Sequence, residues 1–192
     1  MTEPATTGDL LRDKIAYGFD HLDRDGDGRL TEADHVLMGR DSARSLGHPE
    51  GSAEEDRIVD AYLHIWRELH LPTLPAGATE IGREEFITST LGLAEDPAAA
   101  RATVGALAEV FLTVADADGN GVVDREEFYA FQRGHFPDLT REDTDLAFSR
   151  LDLDGNGTLD PEEFVQAVVE YWSSRDPEAP GNWWTGNPAF AR

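Results

Sequence analysis

No cysteine occurs anywhere in the 192 residues. That rules out a disulfide framework and removes the thiolates that zinc and iron–sulfur sites use. A thiol-free chain suits a reducing compartment. Basic residues are scarce: 16 stand against 39 acidic ones, a formal net charge of −23. Nucleic acid and anionic membrane surfaces repel such a polyanion, so its natural counterparts are cations. The opening MTEPATTGDLLRDK has neither a basic start nor an apolar core, so no secretory signal is legible. No uninterrupted apolar run approaches the roughly 18 residues of a membrane span. The expectation is a cytoplasmic protein, a monomer without membrane or nucleic-acid partners. Catalytic motifs are also missing. There is no glycine-rich phosphate loop with its lysine and no nucleophile elbow. None of the six histidines (His21, His35, His48, His64, His70, His135) falls in a catalytic pattern. The chain is therefore not expected to be an enzyme.

What the chain does have is helical periodicity. Leu11, Ile15, Phe19 and Leu22 share a face of residues 9–22. Ile58, Tyr62, Ile65, Trp66 and Leu69 do so over 53–69, and Val104, Leu107, Val110, Phe111 and Val114 over 99–115. Leu146, Phe148 and Leu151 mark a helix over 140–151, opened by Thr140 with Asp143 three residues on, a variant of the capping box. Long alternating strands are absent, so the fold class is all-α. Looser connections lie at 45–53, 71–79 and 134–139. The last segment, 176–192, is rich in proline and glycine yet holds Trp183, Trp184 and Phe190.

Between helices a pattern repeats: DRDGDGRLTEAD from Asp23, DADGNGVVDREE from Asp116 and DLDGNGTLDPEE from Asp152. Each 12-residue stretch places oxygens at positions 1, 3, 5, 7, 9 and 12, as a hard divalent cation of calcium's size requires. The first offers Asp23, Asp25, Asp27, the Arg29 carbonyl, Thr31 through water, and Asp34. The second offers Asp116, Asp118, Asn120, the Val122 carbonyl, Asp124 through water, and Glu127. The third offers Asp152, Asp154, Asn156, the Thr158 carbonyl, Asp160 through water, and Glu163. Position 6 turns with positive φ, and Gly28, Gly121 and Gly157 stand there. Leu30, Val123 and Leu159 at position 8 are expected to bridge paired loops. Helix capping also explains Thr31 with Asp34, Asp124 with Glu127 and Asp160 with Glu163, but not the alternating acids upstream.

Asp34 is one methylene shorter than glutamate at position 12. The first site is therefore expected to bind calcium more weakly and to admit Mg2+, which takes six monodentate oxygens. A fourth stretch, LPAGATEIGREE over 74–85, keeps Ile81 and Glu85 at positions 8 and 12. It puts Leu74, Ala76 and Ala78 where ligands belong, so it reads as a unit that has lost its ion. The expected architecture is two paired lobes, 9–95 and 99–175, with the tail 176–192 packing into the cleft between them.

With four units, one of them silent, and connectors longer than calmodulin's, the chain resembles the EF-hand sarcoplasmic calcium-binding protein family, in particular its calerythrin-like bacterial subgroup. The resemblance spans essentially the whole chain. It implies a compact globular four-EF-hand fold, active first, third and fourth sites, and a role in calcium buffering or transport. The alternative is a calcium sensor that opens and regulates a protein partner. Only two methionines, Met1 and Met38, are present, which argues against an adaptable Met-rich groove.

Overall fold

The computed structural model describes residues 7–186 and Phe190, with side chains from Leu10 onward. Eight α-helices lie among the described residues: α1 (Thr7–Leu22), α2 (Glu32–Ser45), α3 (Ala53–His64), α4 (Arg83–Leu91), α5 (Pro97–Ala115), α6 (Arg125–His135), α7 (Arg141–Leu151) and α8 (Pro161–Ser173). Two three-residue strands, β1 (Arg29–Thr31) and β2 (Glu80–Gly82), pair antiparallel with Leu30 opposite Ile81. Val123 and Leu159 form the matching isolated bridge. All four position-8 residues are buried, so each bridge carries its apolar side chains into the core. Among the described residues the fold is all-α apart from these bridges.

Helix starts follow their capping chemistry. Thr31, Asp124 and Asp160 each form a complete capping box with the acid three residues on. Ser52 and Thr140 each accept from the amide three residues later. Asp96 accepts from Ala98 and Ala99, ahead of Pro97 at the first helical position.

Three features depart from the sequence expectation. The helix expected over 53–69 is α only to His64. It then widens into a π-helical turn (Ile65–His70) and tightens into a 3-10 turn (Leu71–Thr73). Leu146, assigned to a core face, is 42% exposed, while Ala147 and Phe148 beside it are buried. α5 also has the length and mean hydropathy (1.4) of a membrane span. Its apolarity is spread over alanine, and Arg101 and Glu109 interrupt any run. Ala100, Val104, Ala108, Phe111 and Val114 are buried, and α5 packs on α8.

One apolar cluster runs from Leu10 in α1 to Trp184 and Phe190. It is continuous because helices of the first half pack on the second: α2 crosses α6, and α1 crosses α8. The α2–α6 crossing needs glycine, since a Cβ on Gly134 would stand 2.7 Å from the Ser42 Cα. The tail docks through a 3-10 turn (Pro180–Trp183). The Trp184 ring meets Phe164 at 5.0 Å, Phe128 at 5.9 Å and Phe131 at 6.1 Å. Gln132 Nε2 donates to the Trp184 carbonyl, and the Gly181 amide donates to Glu170.

Candidate metal centres

Three loops lead into α2, α6 and α8, and they repeat one hydrogen-bond pattern. The position-1 aspartate accepts from the amides of positions 5 and 6: Asp23 from Asp27 and Gly28, Asp116 from Asn120 and Gly121, Asp152 from Asn156 and Gly157. Position 3 accepts from the position-5 amide, and position 5 from the position-7 amide. These bonds fold the side chains inward. The turn needs left-handed backbone at two places. Gly28, Gly121 and Gly157 have φ between 83° and 89°, and the position-4 glycines Gly26, Gly119 and Gly155 have φ between 71° and 73°. Sequence reasoning missed the second requirement, although glycine at position 4 of all three loops was legible.

The structure brings together positions 1, 3 and 12 of each loop. In each of the sets Asp23–Asp25–Asp34, Asp116–Asp118–Glu127 and Asp152–Asp154–Glu163, one carboxylate oxygen per residue lies within 4.8 Å of the others. That span fits oxygens around one cation, since calcium–oxygen distances are about 2.3–2.6 Å. Asp27 falls outside its cluster, its Oδ1 engaged by the Arg29 amide. Asn120 and Asn156 use their Oδ1 in the same way, and each donates an amide proton to the position-3 aspartate. Asp124 and Asp160 cap α6 and α8, while Thr31 donates its hydroxyl to Asp34. Arg29, Val122 and Thr158 sit at position 7, where each amide donates to position 5.

Position 12 ties each loop to its exiting helix. Glu127 accepts from the amides of Ala117, Asp118 and Asp124, and Glu163 from those of Leu153, Asp154 and Asp160. Asp34 reaches the equivalent amides of Arg24 and Thr31 at 2.9 and 2.8 Å, despite its shorter side chain. Asp34 is also the most deeply buried of the three, at 1% exposure.

Like charges crowd these loops. The hydrogen bond from the Asp27 amide pulls the Asp25 carboxyl down, but burial and the charges of Asp27, Asp34 and Asp23 outweigh it and leave the group raised. A bound cation would reverse that balance. The stretch 74–85 brings no such cluster together among the described residues.

The loops connect to the interior. The Arg24 guanidinium donates to the Gly134 and His135 carbonyls at the end of α6. His135 is buried and accepts from Tyr62, whose hydroxyl also meets Ser42. None of these roles was visible in the periodicity.

A helix–loop–helix pair joined by the Val123–Leu159 bridge, with carboxylates converging in each loop, defines the calcium-binding EF-hand fold. Residues 106–169 match the EF-hand domain pair family. The chain is 27% identical to obelin from Obelia geniculata over 179 residues, covering 90% of this chain and 88% of that one. The coelenterazine-binding protein of Renilla muelleri, in its calcium-loaded apo form, superposes with a TM-score of 0.78 at 22% identity, covering 97% of this chain and 99% of that one. The sarcoplasmic calcium-binding protein of amphioxus does so with a TM-score of 0.71 at 18% identity, covering 93% and 97%. At these identities the solved structures speak to the fold.

Proposed function

We propose that this protein is a cytoplasmic calcium buffer or transport protein, a monomer that binds three ions in the loops at Asp23, Asp116 and Asp152. The convergence of three carboxylates in each loop carries this reading. The segment 74–85 acts as a fourth, ion-free unit. It lends Ile81 to the bridge with Leu30 and stabilises the first lobe without a ligand set. Each ion offsets the repulsion among its loop acids and joins the loop to the helix that follows.

The first site is the weaker for calcium and the more tolerant of Mg2+. Asp34 carries the shorter side chain at position 12, and magnesium takes six monodentate oxygens where calcium takes more. Isothermal titration with calcium, with and without millimolar magnesium, tests both statements. Three calcium ions should bind, and magnesium should compete most at one site. Asp34→Glu should raise calcium affinity at that site relative to magnesium. A stoichiometry of two, or no effect of Asp34→Glu, would refute the corresponding statement.

The buffer reading is favoured over the sensor by what occupies the interior. Trp184 of the tail lies among Phe128, Phe131 and Phe164, where an opening protein would receive its target. A sensor would show a large calcium-dependent gain in dye-accessible apolar surface. The buffer is expected to show little.

A further inference from the structure

Position 2 of such a loop supplies no ligand oxygen. In two of the three loops an exposed residue stands there, Ala117 and Leu153. In the first loop it is Arg24, whose side chain is only 12% exposed. Its guanidinium reaches the second half of the chain and donates to the Gly134 and His135 carbonyls. These are the last two residues of α6. Carbonyls at a helix C-terminus have no partner within the helix, and a cation there suits the negative end of the dipole. Arg24 therefore caps α6 from a different element.

The same residue holds the first loop. Its amide donates to Asp34 Oδ1 at 2.9 Å, and the other Asp34 oxygen accepts from Thr31 at the start of α2. Arg24 thus grips a candidate ligand with its main chain and the end of α6 with its side chain. α6 in turn carries Glu127, position 12 of the loop at Asp116, in its first turn. The rest of the α2–α6 crossing stiffens the link. Ser45 Oγ donates to the Ala130 carbonyl at 2.6 Å, and Asp41 of α2 stands 3.8 Å from the Arg24 Nε. Within the first half, by contrast, the Leu30–Ile81 bridge leads only to the stretch 74–85, where no carboxylate cluster forms among the described residues. The loop at Asp23 has its ligand-bearing neighbour in the other half.

We propose that Arg24 is a positioning residue that couples calcium binding in the loop at Asp23 to calcium binding in the loop at Asp116, across the two halves. The inference rests on the reading of these loops as calcium sites. An ion in the loop at Asp116 fixes Glu127 and with it the first turn of α6. The helix is 11 residues long, so its C-terminal carbonyls are fixed too. They hold the guanidinium, and the Arg24 main chain then stands in place beside Asp34 before an ion enters the first loop. That ion has less chain to order, so its affinity rises. Linkage makes the effect reciprocal: the first loop's ion raises affinity in the loop at Asp116 by the same factor. Couplings of this kind run from about 5-fold to about 150-fold, and a link one side chain wide belongs near the lower end, at about tenfold.

The Gly28, Gly121 and Gly157 amides each donate to the position-1 aspartate of their own loop, so their amide NMR resonances report the three loops separately. The test titrates the full chain with chelator-buffered calcium. Glu127→Gln removes a ligand acid from the loop at Asp116, and the Gly28 midpoint should then move to about tenfold higher free calcium. With Arg24→Met also in place, Glu127→Gln should move that midpoint by less than about twofold. Arg24→Lys keeps the charge but loses the planar fork, and its shift should fall between the two. Ser45→Ala loosens the same crossing without touching the loop and should keep the full shift, which separates a link through Arg24 from the packing of α2 on α6. Dispersed spectra in saturating calcium check that each variant is folded, and Arg24→Lys carries the comparison if Arg24→Met is not. A wild-type Gly28 resonance that ignores calcium would sink the calcium reading of the first loop, and the coupling with it. The coupling alone is overturned if Gly28 responds with the same midpoint in wild type and Glu127→Gln. It is overturned too if the full shift persists in the Arg24 variants, or if Ser45→Ala abolishes it.

Discussion

Lys14 is the only lysine in the sequence, and it is fully buried. Its ammonium donates to the Glu170 and Ser174 carbonyls at the end of α8 and to Asn182 Oδ1 in the tail turn. One side chain thus ties α1 to α8 and both to the tail. Burial lowers it to about 8, against the opposing charge of Glu170. The folded value lies below the ordinary 10.5, so the unfolded chain binds more protons between pH 8 and 10.5, and this group's contribution makes stability rise with pH across that window. Lys14 should resist amine acylation in the native protein and react once the chain unfolds, as peptide mass spectrometry will read. Lys14→Met should destabilise by about 1–3 kcal/mol, because three acceptors lose their donor. Denaturant melts measure it.

His70 and His135 lie at about 3 instead of 6.5. Burial is the main cause in both, assisted by the charge of Arg24 at His135 and by His35 at His70. The fold holds them neutral, whereas the unfolded chain protonates them below about 6.5. Their contribution is complete above that pH and is lost as pH falls towards 3, at about 1.4 kcal/mol per pH unit for each histidine. Denaturant melts in chelator at pH 7 and pH 5 should show the loss, and His135→Gln should flatten it.

At the scale of elements, loops, caps and bridges were legible because their chemistry is local. An aspartate accepts from amides two to five residues on, and a glycine is required where φ is positive. The stretch 74–85 was aligned by Ile81 at position 8, and the pairing of Ile81 with Leu30 fits that alignment. The π-helical turn was not legible. Ile65, Trp66 and Leu69 keep the spacing of a continuous helix, so the periodicity does not mark the widening. Helix contact sites were hidden too. A Cβ on Gly18 would stand 2.3 Å from the Trp172 ring, a contact between α1 and α8. Gly18→Ala should therefore lower stability by about 1–3 kcal/mol through overpacking, despite alanine's better helix propensity. Thermal melts of that variant decide between the two effects.

For the whole molecule, the ions proposed here and the tail would act on one core. A ligand that binds only the native state adds about 2.7 kcal/mol when present at 100 times its Kd. On the three-site proposal the ions would supply much of a domain's stability, and the melting temperature should rise strongly from chelator to calcium. Equal melts would contradict the three-site reading. Truncation after Arg175 removes Asn182 from Lys14 and Trp184 from its cluster of phenylalanines. It should lower the melting temperature and expose dye-binding surface.

By itself the sequence determined the fold class, the three acidic loops and their capping acids, since each depends on residues within one turn or loop. Tertiary structure alone decided how the halves meet. The Arg24 bonds to α6, the Lys14 anchor and the Tyr62–His135 chain all join residues distant in the chain. Periodicity reports which face of a helix is apolar; it carries no information about which buried polar atom will find its partner across the core.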